Sequence, residues 1–379
     1  MKKKLAIITL YDNINFGNKL QNYAVQSYFE AMNFDVVTLP NWEQFHPTCH
    51  IKGYIHSLAH RILRIFGLEK ERVFLEQRKQ QRRNYIESFS RQYLTLGPIV
   101  RYTKMDSKLK EEYDYFVTGS DQVWHGWSGR KKELEFFFLQ FADPEQRITI
   151  APSFGFEEFP KKYLTVYKNG LQGIQNISCR EESGKKLIKS LSGKNATILL
   201  DPTMLIDVEK WMQMLRRPSQ FINMDYIFVY ALGGYGGTIK NNVEKLAKRK
   251  KYSVIDINNI NSDYYILTRP DEFLYWIYSS KLVVTDSFHA VVFSILFHKP
   301  FIVFSREDEL GMENRLDTLL DKFNLMDRKY TRLKNDFEKE NDPILSVDFG
   351  KVDEVIQLER KKAKDFYSQC FDDTRRIKI

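Results

Sequence analysis

The stretch "TDSFHA", Thr285 to Ala290, lies between two apolar runs, "KLVV" and "VVFSILF", and that order of residue types could bind and protonate an anion. A strand ending at Asp286 would hand over to a helix with Ser287 at its N-cap, and the first-turn amides of Phe288, His289 and Ala290 would face outward with the positive end of the helix dipole. Such an end binds phosphate or carboxylate. It also sets the imidazole of His289 beside that anion, where negative charge favours the protonated, proton-donating form. A capped helix with a satisfied core histidine is the competing reading, and the strand-end position argues against it. Arg180, in "ISCREESGKKL", likewise follows a strand and precedes a helix. Its guanidinium can grip a carboxylate or phosphate with two parallel bonds, or pair at the surface with Glu181 or Glu182. Arg315, in "MENRLDTLL", is a third basic candidate in a helical first turn, or else part of a solvated helix face.

A different chemistry is suggested by "VTGSDQVWHGW". Asp121, Gln122 and Trp124 bring a carboxylate, an amide and an indole onto one short segment, which suits the hydroxyls and apolar face of a sugar. A turn with a core tryptophan fits the same residues. The "ALGGYGG" loop at Ala231 matches neither the dinucleotide nor the Walker pattern.

These residues need a scaffold. The apolar run Leu5 to Leu10 reads as a strand that enters a loop with Asn13, Asn15 and Gly17, then a helix over 17–32 on which Leu20, Ala24 and Tyr28 recur at helical spacing. The alternation resumes at "YDYFVTGSDQVW" and "RITIAPSFG". It repeats through "IQNISCRE", "ATILLDP", "DYIFVYALGG", "YSVIDI", "KLVVTDS" and "PFIVF". Strands separated by helix-length segments imply parallel, doubly wound sheets, whose ligands sit at the carboxyl edge. At 379 residues two domains are expected. The first spans 1–160, with a basic helical insertion about 51–100; the second spans 161–345; a helix in 346–379 packs back across the domains.

Composition narrows the partners. With 58 Lys+Arg against 49 Asp+Glu the formal charge is +9, which favours anionic ligands. No nucleic-acid motif or aromatic-interleaved basic repeat stands out, so nucleic acid is not an expected partner. Three dispersed cysteines, Cys49, Cys179 and Cys370, suggest a reducing compartment without disulfide or structural zinc. "MKKKLAIITL" lacks a cleavage site and reads as strand one. No apolar run is long enough to span a membrane. The tract from Arg61 to Arg83 carries eight Lys/Arg against three Glu beside an apolar stripe at Ile51 to Ile65, which suggests reversible contact with an anionic membrane or a solvated basic helix.

Taken in order, "NFGNKLQNYAVQ", "FVTGSDQVW", "SCREESG", "LLDPTMLID", "VVTDSFHAVVFSILFHKPFIVF" and "NRLDTLLDKF" resemble the polysaccharide pyruvyl transferase family, over almost the whole chain from Ile7 to Phe323. The resemblance implies a GT-B-like α/β fold, two Rossmann-like domains facing across a cleft. It implies phosphoenolpyruvate as co-substrate, no metal or other cofactor, and a sugar of a surface polysaccharide or its lipid-linked precursor as acceptor. The product would be a pyruvate ketal, made in the cytoplasm or at the inner face of the membrane. By resemblance His289 is the general acid and Arg180 holds the donor's carboxylate or phosphate. The amides of Ser287, Phe288 and Ala290 and the charge of Arg315 take the rest of the donor. Ala290 stands where the family usually has glycine. Asn13, Asn15 and Asn18 look like a wall of the acceptor cleft, with Asp121 orienting or deprotonating the acceptor beside Gln122 and Trp124. A glycosyltransferase of the same fold with a nucleotide-sugar donor, and a non-catalytic glycan-binding relative, are the alternatives.

Overall fold

The computed structural model describes residues 2–45, 69–106, 108–221, 223–306, 313–339 and 341–371. Its first sheet is built from β1 (Lys4–Ile8), β2 (Asp35–Thr38), β3 (Tyr115–Thr118) and β4 (Arg147–Thr149), in the order β2-β1-β3-β4 with every pair parallel. Helix α1 (Phe16–Ala31) follows β1, and the long α2 (Glu69–Tyr93) enters between β2 and β3. After β4 come β5 (Ser178–Cys179), α3 (Glu182–Ser192) and β6 (Thr197–Ile198). The short β5–β6 ladder sits beside β4: the Ser178 amide donates to Thr149 Oγ1 at 2.7 Å and the Arg180 amide to the Pro152 carbonyl at 3.3 Å. Ile177, Cys179, Ile188 and Ile198 share one apolar cluster with Ala6, Ile8 and Phe116. The chain therefore packs with the first sheet through Ile198, past the change suggested near Pro160, and Arg180 stands on that side of the molecule.

The second sheet contains β7 (Tyr226–Tyr230), β8 (Ser253–Asp256), β9 (Leu282–Thr285) and β10 (Phe301–Val303), ordered β10-β9-β7-β8 and again all parallel. Helices α4 (Gly237–Lys250), α5 (Phe288–Leu296) and α6 (Glu313–Lys322) belong to it. The two sheets make the expected pair of Rossmann-like halves. The last helix, α7 (Val352–Cys370), returns to the first one: the Tyr367 hydroxyl donates to the Thr149 carbonyl at 2.9 Å, and its ring lies 5.3 Å from that of Phe29.

Helix α1 departs from a simple amphipathic pattern, because Lys19, Gln21 and Asn22 are buried as fully as Leu20 and Ala24. The reason is that it is covered on more than one side. Its polar side chains are only partly paired inside: Gln21 Nε2 donates to Thr9 Oγ1 and Thr38 Oγ1 to Asn22 Oδ1, both at 2.8 Å, while Gln21 Oε1 and Asn22 Nδ2 are buried without a hydrogen-bond partner. Phe16, at its start, packs on Tyr230 and Phe273 of the second half.

The basic tract has a structural use. Arg78 donates to the carbonyls of Ile260 and Ser262, and Arg82 to those of Ile257 and Tyr265 and to Asn258 Oδ1. The Arg82 guanidinium also lies 4.7 Å from the Phe16 ring and 4.4 Å from that of Tyr265. Two of its charges thus tie α2 to the second half rather than facing solvent. The stripe from Ile51 to Ile65 and the tract's residues 61–68 lie outside the described residues, as does Cys49; Cys179 and Cys370 are free thiols. No helix among the described residues is long and apolar enough to cross a membrane.

Candidate active site

The carboxyl edges of the two sheets border a cleft of about 970 Å³, lined from the first half by Asp12, Asn15, Asn18, Asp121 and Gln122 and from the second by Ser287, Phe288, His289, Arg306 and Arg315. At its floor, β9 ends at Thr285 and α5 begins. Ser287 occupies the N-cap position, yet its side chain makes no capping bond, and its amide donates to Thr285 Oγ1 at 2.9 Å. Asp286 turns away as well: its carboxylate accepts from the amides of Leu232 and Gly233 at 2.7 and 2.6 Å and from Arg306 Nε at 3.0 Å. The first turn of α5 is therefore left without a side-chain acceptor beside two arginines on the cleft wall, an arrangement suited to an anion.

His289 is only 4 % exposed, with Nε2 3.5 Å from Asp201 Oδ2. From the other side comes α1. A Cβ added to Gly17 would stand 2.2 Å from His289 Nδ1, so the glycine is there for room rather than for backbone freedom. Asp201, buried, is the hub behind the wall. Its Oδ2 takes Arg180 Nη1 at 2.6 Å and Ser120 Oγ at 2.9 Å, and its Oδ1 takes Thr203 Oγ1 at 2.7 Å. Burial alone would raise its pKa, but His289 and Arg180 overcome that and hold the carboxyl well below the usual range. Asp121, at φ +72°, receives Arg180 Nη2 at 3.2 Å and Arg315 Nη1 at 3.4 Å. It is depressed in the same way against its burial, by Arg180 first and then His289 and Arg315. Burial and the charge of Arg180 bring Arg315 down to about 10, still a cation at neutral pH.

The expected site residues fare unequally. His289, Ser287, Phe288, Arg315, Asp121, Gln122, Asn15 and Asn18 all reach the cleft. Gln122 is 5 % exposed with Nε2 unpartnered, and Asn18 Oδ1 is buried without a partner while its Nδ2 donates to Asp12 at 2.6 Å. Arg180 does not reach it. Both terminal nitrogens are held by carboxylates, and its guanidinium lies 4.4 Å from the ring of Phe288, which does line the cleft. The Ala290 methyl belongs to the apolar core, and Asn13 stands off the cleft wall. Trp124 is the core tryptophan of the alternative reading: it is fully buried, stacked on Phe138 at 4.8 Å, with Nε1 donating to the Phe137 carbonyl. The cleft indole is Trp127, half exposed. Gly17 and Asp286 were read only as turn and strand end, not as parts of the site, and Asp201, Arg306 and Trp127 were not picked out from sequence. Asp201 and Arg306 could have been, since each follows an apolar run as Arg180 does. Among the described residues no group of three histidine, cysteine or acidic side chains could hold a metal ion.

No curated protein matches the chain in sequence. Among solved structures, a Listeria monocytogenes protein described as a UDP-N-acetylglucosamine 2-epimerase is similar at TM-score 0.50 and 11% identity, over 98% of both chains. A Neisseria meningitidis UDP-GlcNAc 2-epimerase is similar at TM-score 0.47 and 11% identity, over 97% of this chain and 100% of that one. At such identity the first likeness concerns the fold alone, a GT-B-like α/β architecture. Residues 15–308, which include Gly17, Asp121, Arg180, Asp201 and His289, match the family model of polysaccharide pyruvyl transferase, and the chain belongs to that family.

Proposed function

We propose that the protein transfers the enolpyruvyl group of phosphoenolpyruvate onto two hydroxyls of a sugar in a surface polysaccharide or its precursor. The observation that carries this reading is a histidine paired with a buried carboxylate at the uncapped start of a helix, with Arg306 and Arg315 on the same wall. The donor's phosphate and carboxylate would lie against the α5 amides and these arginines. Protonated His289, held by Asp201, would give its proton to the donor's methylene carbon. The neighbouring carbon becomes electron-poor, a sugar hydroxyl adds to it, and neutral His289 takes up that hydroxyl's proton. Phosphate then leaves with the electrons of its C–O bond, a second hydroxyl closes the ketal, and its proton departs with phosphate. No further co-substrate or cofactor enters this balance. Positioned proton transfer of this kind is worth roughly a hundred- to ten-thousand-fold in rate. The incoming hydroxyls would meet the first-half wall at Asn15, Asn18, Asp121 and Gln122. Arg180 becomes a positioning residue that holds Asp121 and Asp201.

The test is thermal. A ligand at one hundred times its dissociation constant stabilises the folded state by about 2.7 kcal/mol. Millimolar phosphoenolpyruvate should raise the melting temperature of the wild type and of His289→Gln, and Arg315→Gln should shrink the shift. Strong stabilisation by a nucleotide sugar, with none by phosphoenolpyruvate, would replace this reading by glycosyl transfer. For a lipid-linked acceptor at the inner membrane face, α2 offers exposed Val73 and Phe74 beside Arg72. Flotation with anionic vesicles at low salt checks that contact, and no binding would remove it.

A further inference from the structure

The first-half wall of the cleft is larger than a three-carbon donor needs, and its charges are unevenly committed. Glu43 accepts from the amides of Tyr102 and Thr103 at 3.2 and 3.3 Å and from the Thr103 hydroxyl. Glu133 accepts from the Ser128 amide and hydroxyl, both at 2.8 Å, and burial pushes its carboxyl up. Both acids are therefore occupied in holding the wall's own loops. The cations are placed differently. The Arg101 guanidinium lies over Trp42, 4.1 Å from the ring centre, and Arg130 is exposed; both line the cleft. A guanidinium stacked on an indole keeps its N–H edge for an oxyanion. On the same cleft, Trp127 has one face on His125, at 3.9 Å and 21°, and Nε1 donating to the Gln122 carbonyl, while half its surface stays open. That leaves an indole plane fixed from behind and presented to the cleft, which suits the apolar face of a pyranose.

Resting on the pyruvyl-transfer reading, we infer that the acceptor is an anionic sugar, seated with a ring face on Trp127 and its phosphoryl or carboxylate group against Arg101 and Arg130. The stack supplies contact area without demanding one sugar, and the paired arginines supply the discrimination against neutral glycans.

The experiment uses full-length His289→Gln saturated with phosphoenolpyruvate, so that a sugar phosphate cannot occupy the donor's own anion site. Tryptophan fluorescence and melting temperature are followed with glucose, glucose 1-phosphate and glucuronate, and with N-acetylglucosamine and its 1-phosphate. The charged sugars should quench fluorescence and raise the melting temperature where the neutral ones do not. Adding Arg101→Gln and Arg130→Gln should weaken them about tenfold, the usual cost of a lost charge-assisted contact. Trp127→Phe should remove the quench. A response to the 1-phosphates alone assigns a phosphoryl group, and a response to glucuronate alone assigns a carboxylate. Equal binding of neutral and charged sugars, an unchanged affinity in the double arginine variant, or no response to any charged sugar overturns the inference. If phosphoenolpyruvate fails to bind, the transferase reading fails by itself, and the comparison with the double arginine variant, which leaves the α5 anion site unchanged, still decides the subsite.

Discussion

The first turn of α1 is closed by its own loop, whereas the first turn of α5, which faces it across His289, is left open. In α1, Asn15 Oδ1 accepts from the Gly17 amide and Asp12 Oδ1 from the amides of Ile14 and Asn15, all at 2.9 Å. In α5 the residues at the corresponding place, Asp286 and Ser287, are equally good caps by type. Neither serves, because Asp286 is drawn to the Leu232 and Gly233 amides and to Arg306. A capping residue type thus caps only where no stronger donor nearby claims it, and under the proposed function the open first turn that results receives the donor's anion.

The largest effect should come from the charge network behind the open helix. Arg180→Ala leaves Asp121 and Asp201 buried without their main partner, and removing one side of a buried pair costs about 3–5 kcal/mol. Denaturant unfolding should show that loss while phosphoenolpyruvate still raises the melting temperature; loss of the ligand shift with full stability would return Arg180 to the donor. The same carboxylates set a pH dependence. Their folded pKa values are depressed, so their contribution is complete above the unfolded value near 4 and is lost as pH falls below it. Acid titration of stability should be shallower in Asp201→Asn than in the wild type, and identical curves would contradict the pairing.

Next comes the imidazole. His289→Gln should lower turnover at least about a hundredfold with donor binding kept, because an amide can hydrogen-bond phosphate but cannot protonate carbon. Pyruvate transfer at near wild-type rate would show that the proton comes from elsewhere. Gly17→Ala probes the contact between the two helices. Its methyl must displace the His289 ring, so a stability loss of about 1–3 kcal/mol with a fall in kcat is expected. Unchanged kinetics would mean that the ring is not held by α1.

The smallest effects discriminate the caps themselves. Asn15→Ala should cost about 1 kcal/mol by thermal unfolding, while Ser287→Ala should cost only a few tenths, since its hydroxyl caps nothing. Equal costs would erase the contrast between the two first turns.

What the sequence determined by itself is local. Apolar runs separated by helix-length segments dictated parallel, doubly wound sheets, and the strand-to-helix junction at Asp286 placed His289 at a carboxyl edge, because side-chain period and junction chemistry act over a few residues. The same reasoning set Trp124 against the acceptor and passed over Trp127, three positions on. Trp124 went to the core and Trp127 to the cleft because the Asp121 turn, with its positive φ and its bridge to Pro152, sets which way the segment faces. Nor could it see that Arg180 would be occupied. That was decided when β5 docked beside β4 and brought Arg180 to Asp121, while the strand end at Asp201 met both Arg180 and His289. Gly17 looked like turn chemistry and proved to be clearance for an imidazole from the other half of the chain. Such pairings join distant segments through the packing of two sheets, and no periodicity along the chain encodes which buried charge will find which partner.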